Sequence, residues 1–258
     1  MEWIATTTVR NAYIISEMQV DIPVFTWSPY GLIIVLSVLI GFCNAVILMR
    51  KSKISWQTIV LTCMLTILCT MACSCMASVS ITEGGVRFSF SGLGAGVGMI
   101  VGVFISSLIF NEKNEQVLSS FIVSAPLMYG IAKIGCFMAG CCHGKEYFGP
   151  TAVTYHNKYA GTYFPIQLVE SVIYLLIFAI SFLLAVKMKN KIRVVAIIFA
   201  IVLPVRFVTE YFRYYNEGTL ISPDQIIVLV AAVIAATLVI IQHIILKRRS
   251  GNRDALNA

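Results

Sequence analysis

The sequence predicts an all-α polytopic membrane protein with seven transmembrane helices, and three observations support this fold class. Of its 258 residues, 59% are hydrophobic and only 12% are charged, with a mean hydropathy of +0.87. Seven apolar runs have the roughly 17–25 residues needed to cross a bilayer. The positively charged residues gather in alternate connections between these runs. This composition excludes an ordinary soluble domain.

The predicted spans are strongly apolar and carry little internal charge. They are expected near residues 30–49, 55–79, 92–110, 117–138, 167–186, 194–212 and 224–246. The longest polar connection is expected to form a small extracytoplasmic cap at residues 139–165, since it is too short for an independent domain. We therefore expect residues 1–258 to form a single integral membrane domain.

The distribution of basic residues predicts the topology. Of the 19 lysines and arginines, 12 lie on alternate connections. Cytoplasmic loops are enriched in such residues, so the N-terminus is expected outside and the C-terminus in the cytoplasm. Nucleic-acid binding is not expected despite the net charge of +7, because the basic clusters are short and adjoin membrane ends. The 12 residues are Arg50, Lys51, Lys53, Lys113, Lys187, Lys189, Lys191, Arg193, Lys247, Arg248, Arg249 and Arg253.

Residues 130–145, GIAKIGCFMAGCCHGK, form the first candidate site. Lys133 follows an apolar run, so its charge lies close to a membrane segment's end, where polar partners are few. In the turn that follows, glycines permit tight backbone geometry or close approach to a ligand. The turn contains Gly140, Cys141, Cys142, His143 and Gly144. The pattern predicts the rim of a site.

The sixth predicted span carries the second group of charges. Arg206 and Glu210 are four residues apart and can pair on a helix, and Arg213 extends the same face by three more residues. At the start of the fifth span, Gln167 and Glu170 share one helical face. Ionisable residues in a span usually face the bundle interior and mark a functional path. The alternative is an ion pair that only locks helix packing.

Two further interpretations stay open at this point. Cys136, Cys141, Cys142 and His143 crowd one segment and suit a metal ion or a thiol relay, although adjacent cysteines are awkward for a tetrahedral ion. No metal site is therefore predicted. Intramembrane charges also occur in lipid-binding and transport proteins without catalysis.

Small residues recur over residues 92–98 and predict close helix packing in lipid. An alternative that does not exclude packing is that the turn at Ser91 and Gly92 contacts a lipid headgroup, because helix N-termini favour phosphate.

Residues 133–144, 165–170 and 206–213 resemble, in order and spacing, the signatures of the bacterial prolipoprotein diacylglyceryl transferase family. The resemblance extends over nearly the whole chain. Residues 27–32, WSPYGL, are similar to the family's tyrosine-glycine entry to the first span. Residues 90–92, FSG, occupy the place of its histidine-glycine motif.

Four positions differ from the family's pattern. Lys133 stands in the place of an arginine, Cys136 of an asparagine, Cys141 of an acidic residue and Ser91 of a histidine. A lysine keeps the positive charge but lacks the planar fork that binds phosphate through two hydrogen bonds.

The resemblance implies transfer of a diacylglyceryl group from phosphatidylglycerol to the lipobox cysteine of a prolipoprotein signal peptide, with release of glycerol phosphate. The alternatives are another nucleophile as acceptor, or a non-catalytic lipid-binding or transport protein. The expected location is the bacterial plasma (inner) membrane, with membrane lipid as a further partner. No cofactor is expected, and a monomer is expected.

The resemblance also implies roles for individual residues. The expected catalytic residues are Lys133, Arg206 and Glu210. Glu170 is expected to accept the thiol proton, with His143 as its alternative. The expected substrate-binding residues are Tyr30, Ser91, Gly92, Cys136, Cys141, His143, Gly144, Gln167, Glu170 and Arg213.

Overall fold

The computed structural model describes residues 20–22, 25–27, 29–76, 80–82, 85–87, 92–110, 113–155, 161–214, 221–222, 225–230 and 233. These residues are mostly helical. The helices are α1 (Pro29–Lys51), α2 (Trp56–Met76), α3 (Gly92–Phe110), α4 (Asn114–Ala139), α5 (Ile166–Lys187) and α6 (Lys191–Glu210). Three antiparallel hairpins are formed by β1 (Val20–Ile22) with β2 (Phe25–Trp27), β3 (Ser80–Thr82) with β4 (Gly85–Arg87), and β5 (Val153–Tyr155) with β6 (Gly161–Tyr163).

Five of these helices, α1, α2, α4, α5 and α6, are long and apolar enough to cross a membrane. Their outward side chains are largely apolar, and Leu39, Leu68 and Leu176 are each more than half exposed. Lipid tails are a suitable environment for such surfaces, whereas water is not. The prediction of an integral membrane protein built from several spanning helices is therefore confirmed.

Other parts of the predicted architecture stay predictions. Helix α3 has 19 residues, but only its part Gly94–Ser106 is described throughout, and that part alone is shorter than a full span. The last predicted span falls on residues 224–246, of which the structure describes only residues 225–230 and 233, all of them helical. The count of seven spans, the extracytoplasmic cap and the orientation of the termini are thus untested. Ser91 lies outside the described residues.

Helix α4 is the central element of the bundle. On one side, its residues Val117 and Phe121 pack into an apolar core shared with α1, α2 and α3. On the other, Ile122 and Val123 pack into a second core with α5 and α6. All four side chains are buried. Because α4 belongs to both cores, the side chains along it are held in fixed positions relative to α1, α2, α3, α5 and α6.

The basic connections between helices meet at one end of the bundle. The Lys113 ammonium donates to the carbonyl oxygens of Ser52, at 2.8 Å, and Lys53, at 3.2 Å, which joins the α3–α4 connection to the α1–α2 connection. A cavity at this end is lined by residues of α1, α4, α5 and the start of α6, including Lys51 and Lys191. We refer to this region as the basic end.

Helices α2 and α3 pack through glycines on α3. A Cβ atom at Gly102 would lie 2.6 Å from the Cα of Thr66, and one at Gly98 would overlap the backbone of Cys69 and Thr70. These glycines are four residues apart and therefore lie on one face of α3. The predicted close packing through small residues is confirmed at Gly98, while Gly92 and Gly96 of the same run have nothing within 4 Å of a Cβ and Gly102 extends the contact beyond the run.

Replacing Gly102 by valine should destabilise the protein by about 1–3 kcal/mol, because the added methyl groups force α2 and α3 apart. Gly96→Val on the same helix is the matched control, since nothing lies within 4 Å of a Cβ at that position. Thermal unfolding in detergent compares the two variants. Equal loss of stability in both would contradict the proposed contact.

Candidate active site

Glu170 is the centre of a charged cluster at the end of the bundle opposite the basic end. Its side chain is fully buried near the start of α5. The Lys133 ammonium on α4 lies 2.8 Å from Oε2, and Nη1 of Arg206 on α6 lies 3.2 Å from Oε1. Nη2 of Arg213 donates to both carboxylate oxygens, at 2.9 and 2.8 Å. One carboxylate therefore joins α4, α5 and the end of α6.

Glu210 completes the cluster. Its Oε2 lies 2.8 Å from Nη1 of Arg206 and 3.3 Å from Nε of Arg213. Among the described residues, the group comprises three cations and two carboxylates. The Arg206 side chain is 12% exposed, compared with 6% for Lys133 and 3% for Arg213, so Arg206 is the most accessible of the three cations. We call these five residues the ionic cluster.

Arg213 departs from the prediction that it extends the helical face of Arg206 and Glu210. Helix α6 ends at Glu210, and the chain continues as a turn in which the Arg213 amide donates to the Glu210 carbonyl at 3.2 Å. The sequence spacing does not reveal that the helix ends at Glu210, because Arg213 can pair with Glu210 three residues away both in a helix and in this turn. The guanidinium thus still reaches Glu210 from outside the helix.

Gly144 positions the segment around Arg213. Its amide donates to the Phe164 carbonyl at 3.0 Å, and its backbone forms a bridge with Arg213. The next amide, that of Lys145, donates to the Phe212 carbonyl at 2.9 Å. A Cβ at Gly144 would lie 2.5 Å from the Phe164 oxygen, so this backbone pairing requires glycine. The predicted close approach at Gly144 is therefore to protein backbone.

The turn after α4 is fixed by two buried side chains. The Tyr155 hydroxyl donates to the Phe137 carbonyl at 2.9 Å, and Nε2 of Gln167 donates to the Cys141 carbonyl at 2.9 Å. Burial raises the pKa of Tyr155, which keeps the hydroxyl protonated as a donor. Gly140 ends the helix with a φ of 72°, where glycine avoids a steric penalty.

Three thiols meet beside this turn. The sulfur atoms of Cys136, Cys141 and Cys142 all lie within 4.8 Å of one another. Hydrogen bonds from Cys136 and Cys141 lower the pKa of Cys142, and the charges of Lys133 and Arg213 lower it further, against the opposing effect of burial. Hydrogen bonds with Cys136 and Cys142 raise the pKa of Cys141. Cys142 is therefore the more acidic of these two neighbouring thiols.

His143 is separate from the thiols. Its ring stacks between the rings of Tyr163 and Tyr214, with centroid distances of 3.7 and 4.3 Å. Its Nδ1 lies 3.0 Å from the carbonyl oxygen of Gly144, and the residue is only 3% exposed. These contacts indicate that the His143 side chain stabilises the fold by packing.

Two other sequence-predicted residues lie at the edge of this region or away from it. Tyr30, in the first turn of α1, interacts electrostatically with Lys133 and with the three thiols and is 37% exposed. Gly92 begins α3, and nothing lies within 4 Å of a Cβ placed there. The described structure does not bring Gly92 into contact with the ionic cluster.

The sequence analysis missed Tyr129. Its ring lies under Lys133 and Arg206, with the ammonium 4.9 Å and the guanidinium carbon 6.0 Å from the ring centroid. Its hydroxyl lies 3.5 Å from both Oε1 of Glu170 and Nη2 of Arg213. Tyr129 precedes Lys133 by four residues on α4, and this helical spacing was the available signal.

Two comparisons with known proteins bear on this site. A family model described as prolipoprotein diacylglyceryl transferase matches residues 17–243. The chain is also 35% identical over 65 residues to a Clostridium tetani (strain Massachusetts / E88) protein named phosphatidylglycerol–prolipoprotein diacylglyceryl transferase. That alignment covers 24% of this chain and 26% of the relative, so the chain spans about a quarter of the relative's length.

The matched range contains the positions of the ionic cluster and of the three thiols. It extends over well over half of the chain and agrees with the several apolar membrane-spanning helices. The resemblance predicted from the sequence is thereby confirmed: this chain is a membrane protein of the prolipoprotein diacylglyceryl transferase family.

Proposed function

We propose that this protein transfers a diacylglyceryl group from phosphatidylglycerol to the lipobox cysteine of a prolipoprotein signal peptide. The observation that carries the proposal is the buried ionic cluster, in which cations from α4, α6 and the turn after α6 meet at one place. Cations in a low-dielectric environment interact strongly with an anionic ligand. A lipid phosphate supplies such an anion within the membrane.

Arg206 is the residue best placed to contact the phosphate. It is the most exposed cation of the ionic cluster, and Glu210 holds its guanidinium at 2.8 Å. A guanidinium presents several donors in a fixed fork, which matches phosphate oxygens. Lys133 and Arg213 lie deeper and are proposed to act on the phosphate through their charge.

The proposed reaction is a displacement at carbon. The thiolate sulfur of the lipobox cysteine attacks the glyceryl carbon that bears the phosphate ester oxygen. A carbon–sulfur bond forms, the carbon–oxygen bond breaks, and glycerol phosphate leaves with the bonding electron pair. Cations facing the phosphate stabilise the charge that develops on the leaving oxygen. The thiol proton passes to solvent, because a positive environment favours the thiolate.

Glu170 and Glu210 are proposed as positioning residues for the cations. Both oxygens of Glu170 are occupied by Lys133, Arg206 and Arg213, which stabilise the ionised carboxylate. A carboxylate held in this way is a poor proton acceptor. The stacking of His143 between two tyrosines likewise favours a packing role. We therefore propose neither residue as the general base expected from the sequence.

The proposed orientation places the ionic cluster in the outer leaflet. The basic end lies at the opposite end of α4, and basic connections favour the cytoplasmic side. An external N-terminus and an external cap follow from that orientation, and the family match supports a bacterial plasma membrane location. Tyr30, at the exposed edge of the cluster, is proposed to contact the headgroup or the signal peptide.

Arg206→Ala should lower transfer to a lipobox peptide by about 10²–10³-fold, as expected when a donor to a developing anion is lost. Arg193→Ala is the matched control, because Arg193 is an exposed arginine at the other end of the same helix. The assay measures lipidated peptide and glycerol phosphate formed from phosphatidylglycerol. Unchanged transfer by Arg206→Ala would refute the assigned role.

Glu170→Gln should destabilise the protein by about 3–5 kcal/mol, because it leaves three buried cations without their shared carboxylate. Glu115→Gln, an exposed glutamate in the first turn of α4, serves as the control. Thermal unfolding of both variants in detergent provides the measurement. A Glu170→Gln protein as stable as the control would mean that Glu170 does not anchor the ionic cluster.

His143→Phe should retain transfer within about tenfold of the unmodified protein, because phenylalanine preserves stacking and a general base would contribute about 10²–10⁴-fold. The same peptide assay, run over a pH series, gives the comparison. A loss of 10²-fold or more in a folded His143→Phe protein would show that His143 acts as the general base.

A further inference from the structure

The sulfur atoms of three cysteines lie close enough together to bind one metal ion. The three residues are Cys136, Cys141 and Cys142. Their sulfur atoms all lie within 4.8 Å of one another without an ion. Three thiolates that bind one ion at about 2.3 Å place their sulfurs roughly 4 Å apart. Small movements of the three side chains would therefore convert the arrangement without an ion into a metal-bound one.

The turn geometry explains how adjacent cysteines come to share a site. The helical φ and ψ angles end at Gly140, and Cys142 has a φ of 57°, in the left-handed region that few non-glycine residues adopt. This reversal brings the sulfurs of Cys141 and Cys142 together and places them next to Cys136 on α4. The objection to adjacent cysteines holds for regular backbone and does not apply to this turn.

The turn is also held in place before any ligand arrives. The Gln167 amide donates to the Cys141 carbonyl, and the Tyr155 hydroxyl donates to the Phe137 carbonyl, one residue beyond Cys136. Gln167 is fully buried and Tyr155 is 2% exposed. A preorganised ligand set loses less conformational entropy on binding than a flexible one.

The charges around the thiols favour a bound metal–thiolate group. Lys133 and Arg213 interact electrostatically with Cys142. Three thiolates around a monovalent or divalent ion carry net negative charge, which the nearby cations Lys133 and Arg213 stabilise. Among the described residues the group contains cysteines alone, and an all-sulfur donor set selects soft ions over magnesium or calcium.

We propose that Cys136, Cys141 and Cys142 together bind one thiophilic d¹⁰ metal ion, Cu⁺ or Zn²⁺. Up to three sulfur–hydrogen bonds break, three metal–sulfur bonds form, and the protons pass to solvent, so no electron transfer is needed. Three sulfurs complete the coordination of Cu⁺, whereas Zn²⁺ takes water as a fourth ligand. The evidence for this site comes from the thiols and the turn that holds them, so it does not depend on the proposed transfer reaction.

The test uses the full-length protein, reduced and purified in detergent without chelators. Co²⁺ is titrated as a spectroscopic probe for Zn²⁺, because sulfur-to-cobalt charge transfer reports thiolate coordination directly, and Zn²⁺ is then used to displace it. Cu⁺ is tested separately by competition with a chromophoric chelator. We expect one ion per chain, and the ion that binds more tightly, Zn²⁺ or Cu⁺, is the one that the site takes.

Cys136→Ser, Cys141→Ser and Cys142→Ser should each weaken binding more than about 100-fold, since even residues that only support metal ligands contribute 10–100-fold. Cys73→Ser is the control, because Cys73 is a half-buried cysteine on α2 away from the turn. It should bind like the unmodified protein. Size-exclusion chromatography establishes which variants are folded, and the three single variants test the site separately.

Two outcomes would overturn the proposal. One is the absence of a stoichiometric thiolate–metal signal with either ion in the reduced protein. The other is unchanged affinity in folded variants that lack one or more of the three cysteines. Alkylation and mass spectrometry of the freshly purified chain complete the test: a disulfide within the group, in a chain that binds no ion after reduction, replaces the metal site with a redox pair.

Discussion

The buried carboxylate of Glu170 is the interaction on which the functional end of the molecule depends. It accepts from an ammonium on α4, a guanidinium on α6 and a second guanidinium in the turn that follows. Each of these cations alone would be costly in an apolar bundle. With the shared carboxylate they become a compact cluster, and the three helices are joined at a single point.

The ionic cluster and the three thiols are connected through the same part of the backbone. Lys133 and Cys136 are three residues apart on α4, so their side chains lie on one face of that helix. The turn that carries Cys141 and Cys142 also leads to Gly144, whose backbone pairs with that of Arg213. The cations of the ionic cluster and the three thiols therefore share a rigid framework, and a change in one group is felt electrostatically by the other.

Much of this arrangement was predictable from the sequence, because helical spacing is regular. The i,i+4 pairing of Arg206 with Glu210 and the membrane-spanning character of the helices follow from such spacing. Other features were not predictable. The end of α6 at Glu210, the stacking of His143 and the place of Tyr129 under two cations depend on contacts between residues distant in sequence.

The membrane environment, the family and the residue types available for chemistry all follow from the amino-acid sequence alone. Hydrophobicity, charge distribution and motif order are properties that can be read along the chain. The folded arrangement of the helices was needed to show that one carboxylate holds three cations and that three cysteines meet at one point. Those facts depend on the packing of α4 against α5 and α6 and on a left-handed backbone at Cys142, which no local pattern specifies.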